Sequence, residues 1–127
     1  MSQIREAVQA LRWNTDHLVL LDQRALPHDV RYIECHDADS AADAIRRMVV
    51  RGAPAIGITA AYAVALSVRK HFARAPDDWR RGVATDLIML RASRPTAVNL
   101  MWALDVMGAA CAAAWLMAQG RDRKSVV

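Results

Sequence analysis

Few residues that punctuate a chain occur here. Five Gly and four Pro in 127 residues exclude a disordered or low-complexity chain. Cysteine is equally sparse. Cys35 and Cys111 make neither a disulfide framework nor a metal-ligand spacing, so reduced, buried thiols are expected. Aromatics make up 6% of the chain and no long Lys/Arg block occurs. A net charge of +4 and a pI near 9.7 therefore do not indicate nucleic acid and serve a phosphorylated metabolite equally well. Arg5 and Glu6 stand early, without an apolar run, so no signal peptide is expected. There is no internal repeat.

What remains is one domain's length of chain, 54% hydrophobic and 24% charged, enough to bury a core. Residues 4–13 carry both periods: Ile4, Val8 and Leu11 suit a helix, while Leu11 and Trp13 alternate as in a strand. Asn14-Thr15-Asp16 reads as a turn. His17 to Asp22 reads as a buried strand and, past Pro27, Val30 to Cys35 as a second, with Val30, Tyr32 and Glu34 opposite Arg31, Ile33 and Cys35. These predict a small antiparallel β unit over residues 1–37.

From Asp39 the period becomes helical. Asp39 or Ser40 is the expected cap, and Ala41, Ile45, Met48 and Val49 the buried face. An almost wholly apolar helix, Ile56 to Leu66, is expected at the centre and closes on Arg69, Lys70 and His71. Pro76-Asp77-Asp78 is expected to start the next helix with acids in its first turn, burying Trp79, Val83, Leu87 and Leu90. A last helix is predicted from Ala97 to Gln119. Its Ala97–Ala118 stretch is long enough to span a membrane, but Asn99, Asp105 and the abundance of alanine favour a buried core helix. Residues 120–127 are expected to break that pattern.

Arg51-Gly52-Ala53-Pro54 stands at a helix entrance with the chemistry of an anion site. Gly52 accepts a positive φ, and Pro54 suits the first helical turn. The free N–H groups and positive dipole end of the helix face the turn, with a multi-donor guanidinium beside them. Arg94-Pro95-Thr96 repeats the arrangement, with Thr96 placed to cap and Asn99 three residues on. If the fold brings the two entrances together, Arg51 and Arg94 form a two-armed clamp for one anion. The alternatives are an ordinary turn with a solvated Arg51, and an Arg94 that only meets the carbonyls of the helix it ends.

Three ordered stretches now carry a resemblance: Leu18-Val-Leu-Leu-Asp-Gln-Arg-Ala-Leu-Pro27, Ile45-Arg-Arg-Met-Val-Val-Arg-Gly-Ala-Pro-Ala-Ile-Gly57 and Ser93-Arg-Pro-Thr-Ala-Val-Asn-Leu100. Over about Trp13 to Gln119 the chain resembles the N-terminal domain of the S-methyl-5-thioribose-1-phosphate isomerases. That superfamily includes the regulatory subunits of the exchange factor for translation initiation factor 2. The resemblance implies an α+β fragment: a small antiparallel β unit at 1–37, a helical substrate-binding domain at 38–120, and a tail at 121–127 outside the family pattern. The family's Rossmann-like C-terminal domain is expected to be absent.

By the same resemblance Arg51, Gly52, Ala53 and Arg94 bind the sugar phosphate, in a cytoplasmic aldose–ketose isomerase of methionine salvage that needs no cofactor or metal. The full-length family members commonly form homodimers. The family's catalytic Cys and Asp are not matched by Cys35, Cys111, Asp22 or Asp105, so no catalytic residue is assigned. The chain alone is expected to be inactive, and its end to be a truncation, a frame disruption or an assembly artefact that leaves apolar helices short of partners. Three other readings are a ribose-1,5-bisphosphate isomerase, a non-catalytic regulatory subunit and a small membrane-associated helical protein.

Overall fold

The computed structural model describes residues 10–126, with side chains described through residue 119. Three antiparallel strands come first: β1 Leu11–Asn14, β2 His17–Leu21 and β3 Tyr32–Cys35, in spatial order β1-β2-β3. Four helices follow: α1 Ala38–Arg46, α2 Ala53–Arg74, α3 Trp79–Ser93 and α4 Val98–Val126. This is the expected α+β arrangement, with the strand period winning at Leu11 to Trp13. Ile4 and Val8 lie outside the described residues.

The central strand β2 contributes Leu18, Val19, Leu20 and Leu21, all buried. Pairing runs Leu11↔Leu20 and Trp13↔Leu18 on one side, Leu18↔Cys35 and Leu20↔Ile33 on the other. Alternation along the strands puts Leu18, Leu20 and Cys35 against the helices. There they join Ile45, Val49, Ala60, Val64, Val83, Leu90, Leu100 and Leu104 in one core. Trp13 stacks on Tyr62 of α2 with centroids 5.2 Å apart and planes within 8°. β3 starts two residues later than expected, leaving Val30 exposed. Just past β2, Asp22 is buried. It accepts from the Arg24 backbone N–H (3.0 Å) and from Arg24 Nε and Nη2 (both 2.9 Å).

The cap of α1 is Asp37, two residues before the first expected one, Asp39. The Asp37 side chain accepts from the Ser40 N–H (2.8 Å), and Ser40 Oγ accepts from the Asp37 N–H, a reciprocal capping box. Asp39 therefore lies inside the helix. At its other end the Val49 N–H donates to the Ala44 carbonyl (2.9 Å) and the Met48 N–H to that of Ile45 (3.2 Å). These two bonds define a Schellman motif with Met48, at φ +65°, in the left-handed position. Met48 consequently points out of the core, whereas Ala41, Ile45 and Val49 are buried as expected. The Gln23 N–H, donating to the Val49 carbonyl (2.9 Å), ties this turn to the β unit.

Expectations for three helices need correction. α2 is central, burying Ile56, Ala60, Ala63, Val64 and Leu66, yet Ile58 is 47% exposed, so one stripe of it meets solvent. α3 starts at Trp79 with no acid in its first turn, because Asp77 and Asp78 precede it. α4 does not stop at Gln119 but runs to Val126. Nor is α4 a core helix throughout. Leu100, Ala103 and Leu104 are buried, while Trp102, Leu116 and Met117 are exposed. Its Val98–Gln119 part is long and apolar enough to cross a membrane by length and composition, and only 22% of that apolar stretch is buried.

Two stability predictions follow from these ends. Met48→Gly removes the Cβ from a left-handed residue and should raise unfolding free energy by about 1 kcal/mol. A denaturant melt reads it, and a loss of stability would contradict the motif. The Arg24 hydrogen bonds hold the Asp22 carboxyl below the usual carboxylate range. Its contribution is thus fully present above the unfolded value of about 3.9 and lost as pH falls through the folded one. Asp22→Asn should flatten the acid limb of a pH–stability profile, and an unchanged limb would contradict that role.

Candidate functional site

Gly52 caps the start of α2 at φ +92°, ψ 133°, with no side-chain hydrogen bond at that end. Nothing lies within 4 Å of where a Cβ would stand. Glycine is needed there for its backbone angles, since an L side chain at that φ is strained by about 1–3 kcal/mol. The first intrahelical bond runs from the Ile56 N–H to the Gly52 carbonyl (3.0 Å). The Ala53 and Ala55 N–H groups consequently have no acceptor within the helix, and Pro54 has no N–H to satisfy.

The second entrance differs from expectation. α4 starts at Val98, and the Ala97 carbonyl accepts its first bond, from the Met101 N–H (3.1 Å). Thr96 therefore lies ahead of the capping position, and Ala97 occupies it. The Ala97 N–H turns back to the Arg94 carbonyl (3.0 Å). The N–H groups of Val98, Asn99 and Leu100 are the free donors of this end.

Both ends meet at one cavity. Gly52, Ala53 and Ile56 from α2 and Arg94, Ala97, Val98 and Asn99 from the α4 side line a hollow of about 260 Å³. α2 and α4 pack parallel. Pro54, Gly57 and Ala61 share a groove with Asn99, Ala103 and Val106, and farther along Val68 and Phe72 share one with Cys111 and Ala114. The helices come close at Gly57: a Cβ there would lie in van der Waals contact with Asn99, 3.4 Å from its carbonyl oxygen and 3.6 Å from its Cβ. Each helix start carries about half a positive charge. Two of them side by side, with Arg94 added, leave the hollow short of negative charge.

The structure thus brings Gly52, Ala53 and Arg94 together. Arg51 is exposed and precedes Gly52, outside the lining. Among the described residues neither Arg51 nor Arg94 pairs with a carboxylate, whereas Arg24, Arg46 and Arg91 do. Arg12 and Arg74 are also without such a partner on the open surface. The converging helix ends, rather than the bare cations, distinguish this site. Asn99 adds the cavity's one side-chain amide. Sequence reasoning placed Asn99 after a cap without giving it this neighbour, and a glycine inside an apolar helix, Gly57, was the signal of a close approach.

Other reactive side chains are engaged elsewhere. Burial pushes the Cys35 thiol up to about 11 and raises that of Cys111, so both stay protonated at neutral pH. Asp105 is ion-paired with Arg91. Ser67 Oγ (2.6 Å) and His71 Nε2 (3.0 Å) both donate to Asp86 Oδ2. The carboxylate stands between hydroxyl and imidazole, which is not the order a Ser–His nucleophile requires.

The sequence profile of the initiation factor 2 subunit family matches residues 49–125. A methylthioribose-1-phosphate isomerase of Alkalilimnicola ehrlichii is 60% identical over 102 residues, 80% of this chain and 30% of the relative. One from Methylococcus capsulatus is 55% identical over 107 residues, 84% of this chain and 30% of the relative. The chain therefore spans about 30% of the length of these curated relatives.

Among solved structures, 5-methylthioribose 1-phosphate isomerase from Pyrococcus horikoshii OT3 superposes with a TM-score of 0.71 at 33% identity, covering 76% of this chain and 27% of that one. The delta subunit of translation initiation factor eIF-2B from A. fulgidus gives 0.70 at 36% identity, covering 77% and 28%.

The Gly57 contact is testable. Gly57→Ala puts a methyl group at ordinary van der Waals distance and should be neutral or stabilising by up to about 1 kcal/mol. Gly57→Leu should overpack the helix pair and cost about 1–3 kcal/mol in a denaturant melt. Equal stability of the two variants would contradict the close parallel packing.

Proposed function

The chain belongs to the initiation factor 2 subunit family, and we propose that it is the phosphate-holding part of an aldose–ketose isomerase that converts 5-methylthioribose 1-phosphate to 5-methylthioribulose 1-phosphate. The observation that carries the reading is the convergence of two helix N-termini and Arg94 on one cavity. The sugar's phosphate accepts from the N–H groups of Ala53, Ala55, Val98, Asn99 and Leu100 and from the Arg94 fork, with Arg51 adding a cation beside Gly52. The reading carries a cytoplasmic location and a homodimer for the whole protein.

This substrate's anomeric carbon bears the phosphate, so its ring does not open as a free aldose would. Moving hydrogen from C2 to C1 requires a positioned acid/base or a hydride route in a dry site. The cavity's lining holds one titratable side chain, Arg94, and a guanidinium stays protonated. The role of these residues is to bind and orient, and proton or hydride transfer falls to groups outside this lining.

A regulatory, non-catalytic role is the second reading, favoured by the likeness to the eIF-2B delta subunit. The 60% and 55% identity to the Alkalilimnicola ehrlichii and Methylococcus capsulatus isomerases supports the enzymatic one. In calorimetric titrations of the chain with 5-methylthioribose 1-phosphate, Arg94→Ala should lose about 1.5–3 kcal/mol of binding, the scale of a charged hydrogen bond. Arg94→Lys should restore only part, because a point charge does not replace a bidentate fork. Arg51→Ala should weaken binding less than Arg94→Ala. Unchanged affinity in Arg94→Ala, or turnover by the 127-residue chain itself, would contradict the assignment.

A further inference from the structure

On the face of the sheet opposite the helices, β2 and β3 bring together three metal-ligating side chains that the phosphate site does not use. The register pairs Val19 with Glu34 and Leu18 with Cys35, so His17 stands across from His36 and shares its face with Glu34. His17 Nε2 lies 3.1 Å from Glu34 Oε1, and His36 Nε2 lies 3.2 Å from the same oxygen. The two imidazoles stack with centroids 4.4 Å apart and planes within 25°. All three ligand atoms fall within 4.8 Å of one another.

A hydrogen bond on its far nitrogen orients His17 toward their meeting point. Its Nδ1–H donates to Asp16 Oδ1 at 2.7 Å. His17 therefore turns Nε2 toward Glu34 Oε1. Among the described residues, Asn14 Nδ2 at 3.4 Å is a distant further neighbour. The 3.1 and 3.2 Å approaches of the two imidazole nitrogens to one carboxylate oxygen are close to the separation of ligands about 2 Å from one tetrahedral ion. A carboxylate on the far nitrogen of an imidazole is also the arrangement that orients and strengthens a metal-bound histidine.

We propose that His17, Glu34 and His36 form a binding site for a divalent first-row transition metal of the zinc class, with Asp16 as the group that positions His17. Two imidazole nitrogens and one carboxylate oxygen suit zinc, at about 2.0–2.2 Å each, and leave a fourth position for water. His17 is the fixed member, its side chain only 12% exposed, while Glu34 and His36 are about 60% exposed and rotate to close on the ion. The site is separate from the phosphate cavity. It adjoins the β1–β2 turn, whose Thr15 carbonyl accepts from Arg69 Nη1 (3.2 Å) near the far end of α2. The bound ion would staple β2 to β3, and its first effect is on the stability of the sheet.

The test uses tag-free, chelator-stripped 127-residue protein, titrated with Zn²⁺ by calorimetry and with Co²⁺ by visible absorption. One equivalent should bind saturably, with the cobalt spectrum of a nitrogen–oxygen site, and Zn²⁺ should raise the melting temperature. His36→Ala, at an exposed position, should keep the fold and lose the site. Asp16→Asn should retain the stoichiometry with affinity about 10- to 100-fold weaker. Cys111→Ser should bind as the parent does. Absence of saturable binding would overturn the proposal. Binding that survives in His36→Ala or disappears in Cys111→Ser would overturn it as well, because the metal would then sit elsewhere.

Discussion

The fold turns on an electrostatic conflict: two long helices pack in parallel with their positive ends together. Parallel neighbours repel through their dipoles, and each start leaves N–H groups without acceptors. The hydrophobic core enforces the pairing, since Ile56, Ala60, Ala63 and Val64 of α2 and Leu100, Ala103 and Leu104 of α4 are all buried. α3 makes it possible by carrying the chain back about 22 Å between them. An anion at the shared end resolves the conflict. On the proposed function, packing prepares the place for a phosphate before any side chain is considered, and Arg94 sharpens that preference.

The charged groups around this frame divide by role. Asp22, Asp105 and Asp86 are each engaged by a neighbour: Arg24, Arg91, and Ser67 with His71. These contacts join the β unit's exit, α3 to α4, and α2 to α3. The two thiols are held protonated by burial. The cavity lining holds donors and a fixed positive charge, and no group that exchanges a proton near neutral pH. Binding and chemical conversion are separable in such a design, and the proposed function gives this part the binding.

Much of this was legible where backbone chemistry dictates the outcome. Gly52 and Pro54 announce a helix start whatever surrounds them, and Arg94-Pro95 ends one helix and precedes another, so both entrances could be read residue by residue. Misreadings fell where tertiary contacts decide. Asp37 beat Asp39 as a cap because β3 ends two residues earlier and leaves Asp37 extended. Thr96 lost the capping position to Ala97 because the turn closed on the Arg94 carbonyl. Met48 fits the helical stripe but sits in the left-handed residue of a Schellman turn, which periodicity does not reveal. The Gly57–Asn99 approach and the His17–Glu34–His36 cluster join residues distant in sequence. Only helix packing and strand register create them; Gly57 signals that something comes close without naming Asn99, and no local spacing signals the cluster. The continuation of α4 past Gln119 shows that a change to charged residues need not end a helix, since Arg and Lys are good helix formers.

The most direct test of the central claim is a two-dimensional amide spectrum of the labelled chain, recorded while 5-methylthioribose 1-phosphate is added. The account predicts that the largest shifts fall on the N–H groups of Ala53, Ala55, Val98, Asn99 and Leu100, and that unphosphorylated 5-methylthioribose leaves them in place. Equal shifts with both sugars, or shifts confined to other parts of the chain, would contradict the claim that the paired helix ends are a phosphate site.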